Sequence, residues 1–167
     1  GEVEQVLIPI KVKQLVVDQT LNPVVLLSDQ EESQVLPIWV GPLEAQAIAL
    51  AMQGILTPRP LTHDLMRSIC ENLGVELSRV LLQDIRDGTY YAELYLRQGD
   101  KEIVVDARPS DAIALALRTN APLYMTEKVA AYTVSIDDLV NTEQAETEEL
   151  QQMLSDDSPD ENKKNLH

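Results

Sequence analysis

The feature that most constrains this fold is a pattern that occurs twice. Three strand-like stretches run into a proline, an acidic residue and an alanine, and then into an apolar, helix-forming stretch. The first occurrence reads Pro42-Leu43-Glu44-Ala45 and continues Gln46-Ala47-Ile48-Ala49-Leu50-Ala51. The second reads Pro109-Ser110-Asp111-Ala112 and continues Ile113-Ala114-Leu115-Ala116, so the first carries two inserted residues. Proline suits a first helical turn, where its missing N–H has no partner to lose. An acidic side chain there complements the helix dipole. Two origins fit the echo: a worn internal duplication, or convergence of two buried helices with acidic starts. Either way the order implies an α+β domain, with two antiparallel three-stranded meanders and buried helices.

The individual segments follow. Residues Val6 to Val17, Val24 to Leu27 and Val35 to Val40 read as strands, separated by Leu21-Asn22-Pro23 and Glu31-Glu32-Ser33. The helix Leu43 to Gln53 is almost wholly apolar, which predicts deep burial, and Gly54 is its stop. After the stiff loop Thr57-Pro58-Arg59-Pro60-Leu61, Thr62 is the expected cap of a second helix. Leu65, Met66, Ile69, Cys70 and Leu73 recur along it at helical spacing, and Gly74 ends it. Three further strands run Arg79 to Ile85, Tyr90 to Arg97 and Glu102 to Asp106, the first pair joined by Asp87-Gly88, a strong hairpin signal. A third helix covers Arg108 to Arg118, with Ser110 a good cap, and Ala121 to Met125 make a last short strand.

Composition sets the limits. A chain of 167 residues suffices for one domain with a real core. The domain is expected over residues 1–136, followed by an acidic tail over 137–167. In that tail Thr142 to Leu154 read as a marginal helix and Asp156 to His167 as disordered. Phenylalanine is absent, so the core must be aliphatic. Cys70 is the single cysteine, which excludes an internal disulfide and a cysteine-rich zinc site; it reads as a small buried hydrophobe. No run approaches the ~18 apolar residues of a membrane helix, and the acidic start Gly1-Glu2-Val3-Glu4 lacks the shape of a signal peptide. A cytoplasmic protein without a membrane partner is the expectation. The net charge of −15 disfavours nucleic acid as a partner, because tight non-specific binding relies on Lys and Arg neutralising phosphates; a local basic patch leaves that partner open.

Chemistry concentrates at three helix starts. They supply Glu44; then Arg59, His63 and Asp64; then Asp106, Arg108, Ser110 and Asp111. Brought together, four carboxylates, one imidazole and two guanidiniums would suit a Mg²⁺ or Mn²⁺ ion with arginines clamping phosphate. The alternative is plain: acidic residues complement helix dipoles, Thr62 and Ser110 cap, and Asp106 pairs with Arg108. Tyr90, Tyr91 and Tyr95 offer base stacking, but cross-strand packing accounts for them. Trp39 is expected to pack against the first helix.

Four segments in order resemble the bifunctional nuclease domain family. They are Leu36-Pro37-Ile38-Trp39-Val40-Gly41 with Glu44 and Ala45; Arg59-Pro60-Leu61-Thr62-His63-Asp64-Leu65; Asp87-Gly88-Thr89-Tyr90-Tyr91-Ala92; and Asp106 to Ala116. The resemblance implies an α+β fold, a homodimer or higher homo-oligomer, and the DNase and RNase activity of some members. On that reading Glu44, Asp106 and Asp111 are candidate ligands for Mg²⁺ or Mn²⁺. His63 or Asp64 is the candidate general base. Arg59, Arg108 and Arg118 contact phosphate, with Ser110 beside them. The competing reading is a non-catalytic interaction or regulatory module in which the charged cluster is a structural ion-pair knot.

Overall fold

A computed structural model describes residues 4–138, 148 and 151–155. The chain divides into two units, Gly1–Thr133 and Val134–His167. The first unit begins with β1 (Leu7–Val17), β2 (Pro23–Asp29) and β3 (Gln34–Trp39), followed by α1 (Pro42–Met52) and α2 (Thr62–Asn72). It continues with β4 (Glu76–Arg86), β5 (Thr89–Gln98), β6 (Lys101–Ala107) and α3 (Pro109–Thr119), and closes with β7 (Leu123–Thr126) and the short α4 (Glu127–Ala130). The second unit opens on a two-residue strand, Val134–Ser135, and residues 136–138 and 151–155 are helical. The helix expected over Thr142–Leu154 is therefore described only in part, and the disorder expected for Asp156–His167 falls outside the described residues.

The class is α+β, as the sequence implies. Both meanders form, β1-β2-β3 and β4-β5-β6, each antiparallel throughout. They belong to one mixed sheet, because β7 lies between them: it pairs antiparallel with β1 (Leu7 opposite Thr126) and parallel with β4 (Val80 opposite Leu123). Strands of the first unit therefore run in the order β6-β5-β4-β7-β1-β2-β3. The β4–β5 hairpin turns on Asp87 and Gly88, both at positive φ (50° and 77°), the geometry of a type I′ turn.

Helix α3 lies at the centre. Its Ala112, Ile113, Ala114, Leu115 and Ala116 are all buried, and it touches α1, α2, β4 and β5. Small alanines on both sides let it approach its neighbours closely. Ile38, Ile48, Leu82, Ala92 and Val129 complete an aliphatic core without phenylalanine.

Several expectations about burial are corrected. Only Ala45 and Ile48 of α1 are buried, and Leu43 is 79% exposed. A helix apolar all round carries no marker of its inner face, and α1 lies on the outside of α3. The apolar stripe of α2 is real but faces outward: Leu65, Met66, Ile69 and Leu73 are all exposed. Its inward side is the polar one, where His63 is buried. Cys70 is only half-buried. Thr62 and Ser110 do not cap; they sit inside the first turns, behind the N-caps Leu61 and Arg108. Trp39 is 58% exposed, and its Nε1 donates to Asp18 Oδ2 at 2.9 Å across the β1–β2 turn. The tyrosines pack across strands as expected, with Arg79 over the Tyr95 ring at 3.9 Å and Arg86 over Tyr91 at 4.7 Å.

Candidate functional site

The site is assembled from the starts of α1, α2 and α3. Arg108, the N-cap of α3, turns back over its own helix. Its Nε donates to Asp111 Oδ2 at 2.8 Å and its Nη1 to Glu44 Oε1 at 3.2 Å. The other oxygen of Asp111 meets His63 Nε2 at 2.9 Å. A carboxylate only accepts, so this contact places the imidazole proton on Nε2. His63 Nδ1 is buried and has no hydrogen-bond partner among the described residues.

The members differ in exposure, and that separates their roles. The His63 side chain is 7% exposed, that of Asp111 29%, and that of Arg108 63%. Arg108 Nη2 makes no hydrogen bond among the described residues, so its guanidinium is held on two edges and open on the third. Burial pushes the Asp111 carboxyl up, but hydrogen bonds from Arg108 and His63 outweigh this and hold it below the usual carboxylate range. The Arg108 guanidinium is pushed up in turn, chiefly by its hydrogen bond to Asp111.

Glu44 owes its position to a glycine that sequence reasoning passed over. A Cβ built on Gly41 would collide with Glu44 Oε2, so the carboxylate folds back over a backbone that has no side chain. Gly41 has ordinary extended angles (φ −71°, ψ 162°), so a side chain there meets no backbone strain, only the Glu44 carboxylate, which would have to shift. The spacing of Gly41 and Glu44, three apart across a helix start, was the available signal.

Two expected members belong instead to a sealed staple behind the site. Arg118 is 6% exposed; its Nε donates to Asp64 Oδ1 at 2.8 Å, its Nη1 to the Ala114 carbonyl at 2.9 Å and its Nη2 to the Ala47 carbonyl at 3.0 Å. One guanidinium thus joins α1, α2 and α3 and has no edge left for phosphate. Asp64 also accepts the Leu61 N–H at 3.0 Å, and that bond is the main reason its carboxyl sits below the usual range. It is a fastener rather than a general base. Asp106 lies exposed on β6 opposite Glu93 and takes no part in the Arg108 ion pairs. Arg59 is exposed on its loop, and its guanidinium forms no ion pair among the described residues. Ser110 is buried in the first turn of α3.

Glu44, Asp106 and Asp111 therefore do not form a three-carboxylate cage. Among the described residues no group of three or more His, Cys, Asp or Glu side chains is arranged to hold a metal ion. A Mg²⁺ or Mn²⁺ ion would have to take Glu44 and Asp111 from Arg108, so the donor set does not fit one in this arrangement.

Glu44, His63, Arg108 and Asp111 line one open cavity of about 590 Å³, whose other walls include Leu43, Leu50 and Leu61. A second cavity of about 350 Å³ lies on the β3 side and shares Glu44 and Arg108 with the first. The combination of a preorganised cation, an ionised carboxylate beside it and an apolar wall suits an anionic ester.

Comparison with known proteins identifies relatives of the chain. The family model described as the bifunctional nuclease domain matches residues 25–137. An uncharacterised protein of Mycobacterium tuberculosis (strain H37Rv) is 48% identical over 116 residues, covering 69% of this chain and 69% of its own length. Bifunctional nuclease 2 of Arabidopsis thaliana is 31% identical over 112 residues, and Bifunctional nuclease 1 of Oryza sativa subsp. japonica is 29% identical over 112. Each of these two matches covers 65% of this chain and 34% of the plant protein.

Proposed function

The chain belongs to the bifunctional nuclease domain family, and from that premise we propose that it hydrolyses phosphodiester bonds of DNA and RNA at the Arg108 cluster. The observation that carries the reading is the convergence of three helix starts on one cavity, with Arg108 open on one edge while Glu44 and Asp111 hold the other two. A phosphate laid on that edge meets a guanidinium already fixed in place, so little reorganisation is needed as charge builds in the transition state. Asp111 is the half-buried acid beside it. Water positioned by Asp111 attacks phosphorus and passes its proton to the carboxylate as the bond to the leaving oxygen breaks, and the leaving alkoxide takes a proton from solvent. His63 acts through Asp111 as a positioning residue, since it lies behind it.

The test compares wild type with Asp111→Asn on single-stranded DNA and RNA, with Mg²⁺, with Mn²⁺ and with EDTA. The expected loss is about 100-fold or more, the usual scale for removing one preorganised polar group, with melting curves that stay close. Comparing the three conditions measures metal dependence directly. Wild type that cuts neither substrate in any of them overturns the proposal.

The interaction-module reading draws on the same ion pairs, and exposure weighs against it at Arg108. Pairs this open contribute about 0–1 kcal/mol, so a knot built for stability belongs at the buried Arg118. A homodimer remains part of the proposal. We place its contact on the outward apolar face of α2, where Leu65, Ile69 and Leu73 stand exposed. Sedimentation at a dimer mass, reduced to the monomer by Ile69→Glu, is the expected result; a monomeric wild type refutes it.

A further inference from the structure

The second cavity and the single tryptophan point to a more specific ligand. Trp39 lies exposed at the end of β3, and it lines this cavity together with Gly41, Glu44, Tyr90, Arg108 and Ser110. Its indole is not loose. Nε1 is tied to Asp18, whose carboxylate also takes the backbone N–H groups of Thr20 and Asn22, both at 2.9 Å. That bracket fixes the ring before any ligand arrives, which lowers the entropy lost on stacking. The Trp39 hydrogen bond is also the main cause holding the Asp18 carboxyl far below the usual range.

The two cavities meet at Arg108. One holds the reacting groups; the other is lined by the Trp39 indole, with Glu44 and Ser110 as polar residues in its wall. These are the two chemistries a nucleotide carries: a flat base that can stack on an aromatic ring, and an anionic ester that a guanidinium can bind. We infer that the cavity between Trp39 and Ser110 is a nucleobase subsite, which stacks one unpaired base of a single strand while its phosphate lies on Arg108. The inference rests on reading the Arg108 cluster as a phosphate site. A paired base hides its faces in the helical stack, so the subsite selects single strands over duplex. It also fits an acidic protein, because stacking supplies affinity that few basic residues are available to provide.

The experiment uses the full chain and the emission of Trp39, the only tryptophan present. The probes are a short phosphorothioate oligothymidylate, which resists cleavage, its duplex with the complementary strand, and an abasic phosphorothioate of the same length. The single strand is expected to change the emission saturably, and the duplex and abasic probes to leave it nearly unmoved. Binding to one guanidinium should depend weakly on salt, with a log–log slope of about −0.7 per phosphate contacted. Anisotropy of a labelled single strand should show affinity reduced about ten-fold or more in Trp39→Ala, and largely kept in Trp39→Phe, with circular dichroism confirming that both are folded. Equal affinity for the abasic and base-bearing strands, or emission unmoved at saturation, overturns the subsite. Base-dependent binding without any cleavage supports the subsite and sinks the nuclease reading. Cleavage of single strands with Trp39 emission unmoved sinks the subsite and leaves the nuclease reading standing.

Discussion

Arg118 donates from Nε to Asp64 Oδ1 at 2.8 Å, and this contact fastens the last turn of α3 to the first turn of α2. Because Arg118 is buried and its other nitrogens hold the Ala114 and Ala47 carbonyls, its loss would strand one carboxylate and two carbonyl groups. Removing one partner of a buried pair costs about 3–5 kcal/mol; the partial exposure of Asp64 puts Arg118→Ala at the lower end, about 3 kcal/mol. Urea denaturation measures it. A change below about 1 kcal/mol, the range of exposed pairs, would refute the staple.

Arg108→Lys keeps the charge and loses the fork. An ammonium is a point charge that cannot hold Asp111, Glu44 and a phosphate in fixed directions at once. The expected outcome is cleavage reduced about 100-fold with thermal melting close to wild type, because Arg108 is exposed. Full activity in the lysine variant would show that only charge matters.

Gly41→Ala should displace Glu44 without disturbing the backbone, since the angles at Gly41 suit any residue. Stability is expected to change by no more than about 1 kcal/mol, the scale of an exposed ion pair. Cleavage should fall, because Arg108 loses one of its two anchors. Pairing Gly41→Ala with Glu44→Ala tests the cause: if Gly41 acts through Glu44, the double variant is no worse than Glu44→Ala alone.

Acid stability follows from lowered carboxyls, among them Asp64 and Asp111 at the helix starts and Asp84 on β4. A carboxyl depressed in the folded state favours folding when ionised. Its contribution is fully present above the unfolded value of about 3.9 and disappears as pH falls through the lower folded value. Melting temperature should therefore drop steeply below about pH 4, and Asp64→Asn should flatten that slope while lowering the plateau at neutral pH. An unchanged slope in Asp64→Asn would assign the acid sensitivity elsewhere.

Much of this was legible in the chain, and the limits have a physical pattern. Period-two apolar runs and Asp87-Gly88 located both meanders, and the proline-acid-alanine starts located α1 and α3 with the cluster that begins α3. Glu44, His63, Arg108 and Asp111 were all candidates from residue type, and they converge. Asp106 and Arg59, candidates on the same grounds, do not join them, because position along a strand or loop does not fix which face looks toward a helix start.

What the sequence determined by itself is local: where elements begin and end, which residues share a face, and which family the chain belongs to. Tertiary structure decided what each face meets. The α2 stripe of Leu65, Ile69 and Leu73 has helical spacing whether it faces core or solvent; it faces outward because His63, Asp64 and Arg67 on the other side find Asp111 and Arg118 in α3. Two arginines ten residues apart in one helical segment likewise read the same in sequence. Arg118 is sealed among three helices and Arg108 is open to solvent, so one fastens the fold and the other is left to receive a ligand. Periodicity records a side chain's direction relative to its own element, whereas burial and charge pairing depend on the neighbour opposite, which the chain supplies from tens of residues away.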